Sequence, residues 1–178
     1  TRFTSAAFSY NVGYAVREGA TWREITHREF LAEVEQLAKG FMASGVRPGD
    51  RVALMSHTRY EWSLIAWAAW VAGVVTVPIY ETSSSAQCDW ILTNSDATVA
   101  VVEDLELREV LTAGTDWSGD ILVIENDLVA QLTEAGASVS AASETAGFSS
   151  ELQLRRAWVA AGLAGAFLVL RAGSACCL

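Results

Sequence analysis

Hydrophobic positions along the chain fall into two textures that alternate: short solid apolar runs, and longer stretches with apolar residues at helical spacing. Arg47-Pro48-Gly49-Asp50 is a turn that feeds the run Val52 to Met55. A dense apolar segment follows, Trp62 to Ala72, and then a second short run, Val74 to Tyr80. Strand, helix, strand in that order predicts a buried unit whose two parallel strands are joined by a crossover.

The same signals extend on both sides of this unit. Residues 1–25 read as short extended pieces, with a hairpin over Val16 to Trp22 around Gly19. Thr26 and Glu29 make a capping box, and Phe30, Val34, Leu37, Ala38, Phe41 and Met42 then mark one helical face. Gly45 stands where a left-handed C-cap belongs. Arg51 to Ser56 is the first strand of the sheet, and Thr58 to Glu61 repeats the capping layout ahead of a helix that Gly73 stops. That helix is apolar nearly all round, so it must be covered on most sides. Val74 to Tyr80 is a strand whose Pro78 belongs at a sheet margin. Ser84 and Gln87 form a third box, with Cys88, Ile91 and Leu92 as the inner face of the helix that follows. Thr98 to Val102 and Ile121 to Ile124 are strands, Leu105 to Leu111 is a helix, and Leu128 to Leu132 opens another that Gly136 ends. The expected fold is α/β: an open, mainly parallel sheet of four or five strands with helices on both faces.

Texture changes after Gly136. The expected organisation is a partial α/β domain over 1–136, an Ala/Ser/Thr/Gly-rich loop over 137–150, and an atypical tail over 151–178. The tail holds 14 uncharged residues between Arg156 and Arg171, below the length of a membrane span. As a helix it has no polar face, and its charge is +2 where residues 1–150 carry −11. It reads as non-native to the fold, a frameshifted or mispredicted end.

A net charge of −9 over 178 residues, with no basic stripe, argues against a nucleic-acid partner. The three cysteines, Cys88, Cys176 and Cys177, give no disulfide framework. The opening TRFTSAAFSYNVGYAV lacks a leader's basic-then-apolar layout. Together these predict a cytoplasmic protein, with membrane association at most peripheral.

Residues 21–102 carry a resemblance. Thr21 to Thr26 with Glu29-Phe30, Leu37 to Gly40, Gly45 to Val52, Arg59 to Trp62, Ala72 to Ser84 and Trp90 to Leu92 form an ordered set. That set resembles the amino-terminal region of long-chain fatty-acid–CoA ligases, members of the AMP-binding (adenylate-forming) superfamily. No single piece is diagnostic; the ordered set, with its run Pro78-Ile79-Tyr80-Glu81-Thr82, is specific to the long-chain branch. The resemblance implies two half-reactions in a full-length ligase: ATP and a fatty acid give acyl-adenylate and pyrophosphate, and CoA then displaces AMP. ATP, magnesium, CoA, fatty acid and a homo-oligomer are what it implies as cofactors and partners. The family's Thr-Ser-Gly-Thr-Thr-Gly loop with its Pro-Lys-Gly, its adenine-binding motifs and its carboxy-terminal lysine do not occur in this sequence. No residue is therefore assigned a catalytic, cofactor-binding or metal role. The expectation is an amino-terminal portion that is inactive alone, or a non-catalytic interaction or oligomerisation module derived from one.

Several residues invite a functional reading and receive a structural one. Glu81 to Ser85 lies between a strand end and a helix start, where an anion could sit; capping alone accounts for its serines. His27 and His57 have no second ligand at metal spacing and fit a first helical turn and a strand-to-helix loop. Cys88 reads as a buried inert thiol, and Cys176-Cys177 as terminal and flexible residues with a weak case for metal binding and a weaker one for palmitoylation. Trp62, Trp67, Trp70 and Trp90 read as core packing rather than an acyl pocket. Gly162 to Gly165 is not a dinucleotide fingerprint, since no strand precedes it.

Overall fold

A computed structural model describes residues 10–145 of the chain. The expectations for residues 151–178, including Cys176, Cys177 and Gly162 to Gly165, lie outside the described residues.

Strands β1 (Val12–Glu18) and β2 (Thr21–Thr26) form an antiparallel hairpin. Its two-residue turn places Gly19 at φ 62°, which suits the first central position of a type II′ turn. Helix α1 (His27–Ala43) follows directly, closed at its start by the reciprocal Thr26–Glu29 box. The chain then alternates: β3 (Arg51–Met55), α2 (Tyr60–Val71), β4 (Val75–Ile79), α3 (Ser85–Ser95), β5 (Val99–Val102), α4 (Leu105–Thr112), β6 (Asp120–Val123) and α5 (Leu128–Thr145). Each element expected from the sequence within the described residues is present; the limits of the sheet strands move by at most one residue, while the hairpin expected over Val16 to Trp22 extends four residues further at each end.

β3 to β6 make one parallel sheet in the order β4-β3-β5-β6. Right-handed crossovers then dictate the layers. β3 to β4 and β5 to β6 step in opposite directions, so α2 and α4 must lie on opposite faces. Strand alternation builds a core on each. Val52 and Leu54 of β3, with Val101 of β5, face α1, α2 and α5, where Leu37, Phe41, Leu64, Ile65 and Leu132 are buried. Ala53 and Met55, with Ala100 and Val102, face α3 and α4 through Cys88, Leu92, Leu107 and Leu111. The architecture is the expected α/β sheet flanked by helices on both sides. Pro78 also stands where expected, on β4 at the sheet edge.

Two of the three expected glycine stops hold. Gly45 (φ 88°) and Gly73 (φ 76°) end α1 and α2 in Schellman turns: Val46 N–H donates to Phe41 O at 3.2 Å, and Val74 N–H to Ala69 O at 2.9 Å. Gly136 does not stop α5, which continues through it to Thr145, so the first part of the expected 137–150 loop is helix. The reason is packing. A Cβ on Gly136 would run into Gln36 O, and one on Gly40 would run into the backbone of Leu132. α1 and α5 approach backbone to backbone, and both glycines exist for that approach.

Two other expectations are corrected. Thr58 is not a helix cap: Arg59 is the N-cap of α2 and makes no side-chain capping bond, because a guanidinium carries only donors and cannot accept from a helix N–H; it pairs with Glu61 at 2.7 Å. The tryptophans are mostly not core. Trp62 is partly buried, but Trp67 and Trp70 are 39% and 48% exposed and Trp90 is 66% exposed. Ala66, Ala68 and Ala69 seat α2 on the sheet, and this close fit leaves the larger rings outside.

Candidate functional site

In open parallel sheets the chemistry-bearing place is the crevice beyond the carboxyl ends of the strands, where the strand order reverses. Here the reversal lies between β3 and β5. The residues just past those ends are Ser56, His57 and Arg59 after β3, Glu103 after β5, and Glu125 after β6.

They converge on Glu103. Its backbone prolongs the ladder, donating to Met55 O at 3.0 Å and accepting from Glu125 N–H at 2.9 Å, which fixes where its side chain starts. Glu103 Oε2 accepts from the His57 backbone N–H at 2.7 Å and from Ser56 Oγ at 3.0 Å, and lies 3.0 Å from His57 Nδ1. Glu103 Oε1 accepts from Arg59 Nη1 at 3.2 Å. Arg59 also pairs with Glu61 at 2.7 Å and approaches Glu125 at 3.7 Å. Asp104, next in the chain, caps α4 by accepting from Leu107 N–H at 2.8 Å.

Burial pushes the Glu103 carboxyl up, but the His57 and Ser56 hydrogen bonds and the Arg59 charge outweigh it, and the group sits below its ordinary value. The Arg59 guanidinium is raised, first by its bond to Glu61 and then by the charges of Glu61 and Glu103. Sequence spacing offers His57 no partner. The structure brings a carboxylate to it from 46 residues away, a pairing that only the β3–β5 register reveals.

This arrangement clamps; it does not attack. Ser56 Oγ donates to Glu103 or to His57 O at 2.9 Å, and no bond joins it to the His57 ring as a nucleophile and base would require. Both oxygens of Glu103 are already engaged. The β4–α3 loop is equally spent: Ser84 and Gln87 satisfy each other at 3.4 Å and 2.8 Å. Cys88 is fully buried and burial pushes its thiol up, as expected of an inert cysteine. His27 opens α1, also as expected. Among the described residues no three of His, Cys, Asp or Glu are placed to hold a metal ion.

A second feature lies beside the hairpin. A cleft of about 450 Å³ runs between β1, from Tyr14 to Arg17, and the start of α2, from Thr58 to Ser63. Tyr60 forms its floor with Tyr14, their rings 5.3 Å apart, and donates to Glu33 at 2.8 Å. Burial and that bond raise the Tyr60 phenol, keeping it neutral.

Comparison with known proteins agrees with this fold. The pattern of the AMP-binding enzyme family matches residues 5–164. The long-chain-fatty-acid–CoA ligase FadD15 of Mycobacterium bovis is 38% identical over 134 residues, covering 70% of this chain and 22% of the ligase. The chain thus spans about a fifth of that relative's length. Among solved structures, a Mycobacterium tuberculosis fatty acyl CoA synthetase superposes with TM-score 0.57 at 24% identity, over 65% of this chain and 24% of that one. The amino-terminal subdomain of Klebsiella oxytoca NpsA, bound to 3-hydroxybenzoyl-AMSN, superposes with TM-score 0.59 at 20% identity, over 72% of this chain and 29% of that one. At such identities the two structures show the fold alone.

Proposed function

The chain belongs to the AMP-binding enzyme family, and from that premise we propose that it is the amino-terminal portion of a long-chain fatty-acid–CoA ligase. The whole ligase would join a fatty acid to CoA at the expense of ATP, releasing AMP and pyrophosphate. The portion in hand supplies scaffold, and alone does not activate carboxylates. The observation that carries this reading is the 38% identity to a ligase of which the chain spans 22%, together with a sequence that lacks the Ser/Thr/Gly phosphate loop. ATP, magnesium, CoA and fatty acid are on this reading ligands of the larger protein, and no residue described above is assigned to them. A cytoplasmic location accords with the ligase reading, and among the described residues no helix is long and apolar enough to cross a membrane.

The test is pyrophosphate release by the purified 178-residue chain with ATP, magnesium and palmitate. No turnover is expected above a no-enzyme blank, and sustained release overturns the proposal of inactivity. A second reading, a non-catalytic oligomerisation module, draws on the exposed Trp67–Trp70 stripe of α2, whose rings lie 5.5 Å apart. Sedimentation of the chain alone tests the second reading, which requires a defined oligomer and is overturned by a monomer. On our reading, which rests on the change of charge and texture, the tail over 151–178 is foreign to the fold, although the family pattern reaches into it as far as residue 164. An uninterrupted parent reading frame that keeps this tail overturns that.

A further inference from the structure

One atom of the Glu103 cluster is left without a partner among the described residues. Glu103 Oε2 lies 3.0 Å from His57 Nδ1. An ionised carboxylate can only accept, so in the neutral ring Nδ1 carries the proton and Nε2 carries the lone pair. Three further donors, His57 N–H, Ser56 Oγ and Arg59 Nη1, favour the ionised form of that carboxylate. Two of the bonds reach the same residue: the backbone and the ring of His57 both meet Oε2, at 2.7 Å and 3.0 Å. The ring is thereby fixed on its Nδ1 side. Its side chain is nonetheless 63% exposed, and no described residue bonds to Nε2.

This is half of a familiar chemical arrangement. A carboxylate on Nδ1–H sets the ring's orientation and pushes electron density toward Nε2, which makes that nitrogen a better donor to an electrophile. Ser56 does not intervene, because its hydroxyl bonds to Glu103 and to the backbone. Competing nucleophiles are shielded: among the described residues the Cys88 thiol and the Lys39 amine are both buried. We propose that His57 Nε2 is an acylation site that takes activated acyl groups from acid anhydrides. The Nε2 lone pair bonds to the anhydride's carbonyl carbon, the bond from that carbon to the bridging oxygen breaks, and the oxygen leaves with the electron pair. The Nδ1 proton passes to Glu103 Oε2 and on to water, which leaves a neutral acyl-imidazole. The reactivity rests on the geometry; its natural donor rests on the ligase reading. There the first half-reaction makes an acyl-adenylate, a mixed carboxylic–phosphoric anhydride. Transfer to His57 releases AMP, and water then splits the acyl-imidazole into fatty acid and the free ring.

Diethyl pyrocarbonate, a small neutral acid anhydride, tests the site on the 178-residue chain, with peptide mass spectrometry as the readout. His57 is expected to be carbethoxylated at least about tenfold faster than His27, whose half-buried ring lies close over Gly13. Glu103→Gln is expected to slow His57 about tenfold and to leave His27 unchanged. Circular dichroism checks that this variant is folded. The unaltered chain supplies a second readout: nitrogen NMR of the neutral imidazoles is expected to show the proton of His57 on Nδ1. Equal rates at the two histidines, indifference of His57 to Glu103→Gln in a folded variant, or a proton on Nε2 overturns the proposal. Acetyl-adenylate is then supplied as the donor, and AMP release that His57→Gln abolishes is expected. No such release overturns the proposal and leaves the ligase reading intact. A parent gene without the Ser/Thr/Gly loop downstream removes the ligase reading and leaves the carbethoxylation result standing.

Discussion

The carboxyl edge of the sheet and the flank of the hairpin are both places where this fold gathers polar groups, and they are finished to different degrees. At the sheet edge, Glu103 engages both carboxylate oxygens through Ser56, His57 and Arg59. On the hairpin flank, Tyr14 to Arg17 line an open cleft, and Trp67 and Trp70 stand outside the packed alanines of α2. The first region is internally satisfied and explains stability. The second has surface that the other described residues leave uncovered.

Substitutions on the closed side should break that contrast most visibly. Gly40→Val sets a branched side chain against the Leu132 backbone, which has no rotamer to escape into. It should cost at least about 3 kcal/mol, the upper end for overpacking, or abolish folding. Urea titration of the soluble fraction reads this. Glu103→Gln keeps the shape and removes the charge that holds Arg59, so a loss of about 2 kcal/mol is expected. A loss under about 0.5 kcal/mol, the level of ordinary surface positions, would remove the clamp from the account.

The same carboxylate predicts a pH dependence. Its folded value is lowered, so its stabilisation is present above the ordinary 4.5 and is lost as pH falls through the lowered value. Melting temperatures of the parent and of Glu103→Gln should therefore differ at pH 7 and converge on acidification below 4.5. A gap that stays constant down to the end of the titration would contradict the assignment.

On the open side the effects should be smaller in stability and large in behaviour. Trp67→Gln with Trp70→Gln should cost about 1–2 kcal/mol, because Trp67 packs on Phe30 and Trp70 donates to Thr76 at 2.7 Å while both rings stay partly exposed. Self-association at high concentration should fall, and light scattering is the measurement. If instead the double variant unfolds, the stripe belongs to the closed region and the contrast is drawn in the wrong place.

Much of the closed region was legible because its signals are local. Thr26 with Glu29 and Ser84 with Gln87 sit three residues apart, and both boxes formed. Gly45 and Gly73 followed apolar runs and ended them in positive φ. The α/β layering followed from alternation, which the period-two split of Val52 and Leu54 from Ala53 and Met55 shows in three dimensions. What was not legible depends on a partner distant in sequence. Gly136 looks like a stop until Gly40 and Gln36 are seen against it. His57 looks solitary because Glu103 arrives through strand register. Trp67 and Trp70 were not legible because a helix with almost no polar side gives no hint which large residues face out; the small alanines of α2 decide it.

Pro78 has a consequence at the other rim. Val75 N–H donates inward to Asp50 O at 2.9 Å, so Pro78, three residues on, turns its nitrogen away from β3 and sacrifices no ladder bond. The outermost strand therefore lacks a donor where a stray chain would try to dock, which discourages endless lateral growth into fibrils. A single imide ring thus polices the rim while leaving the interior seam whole.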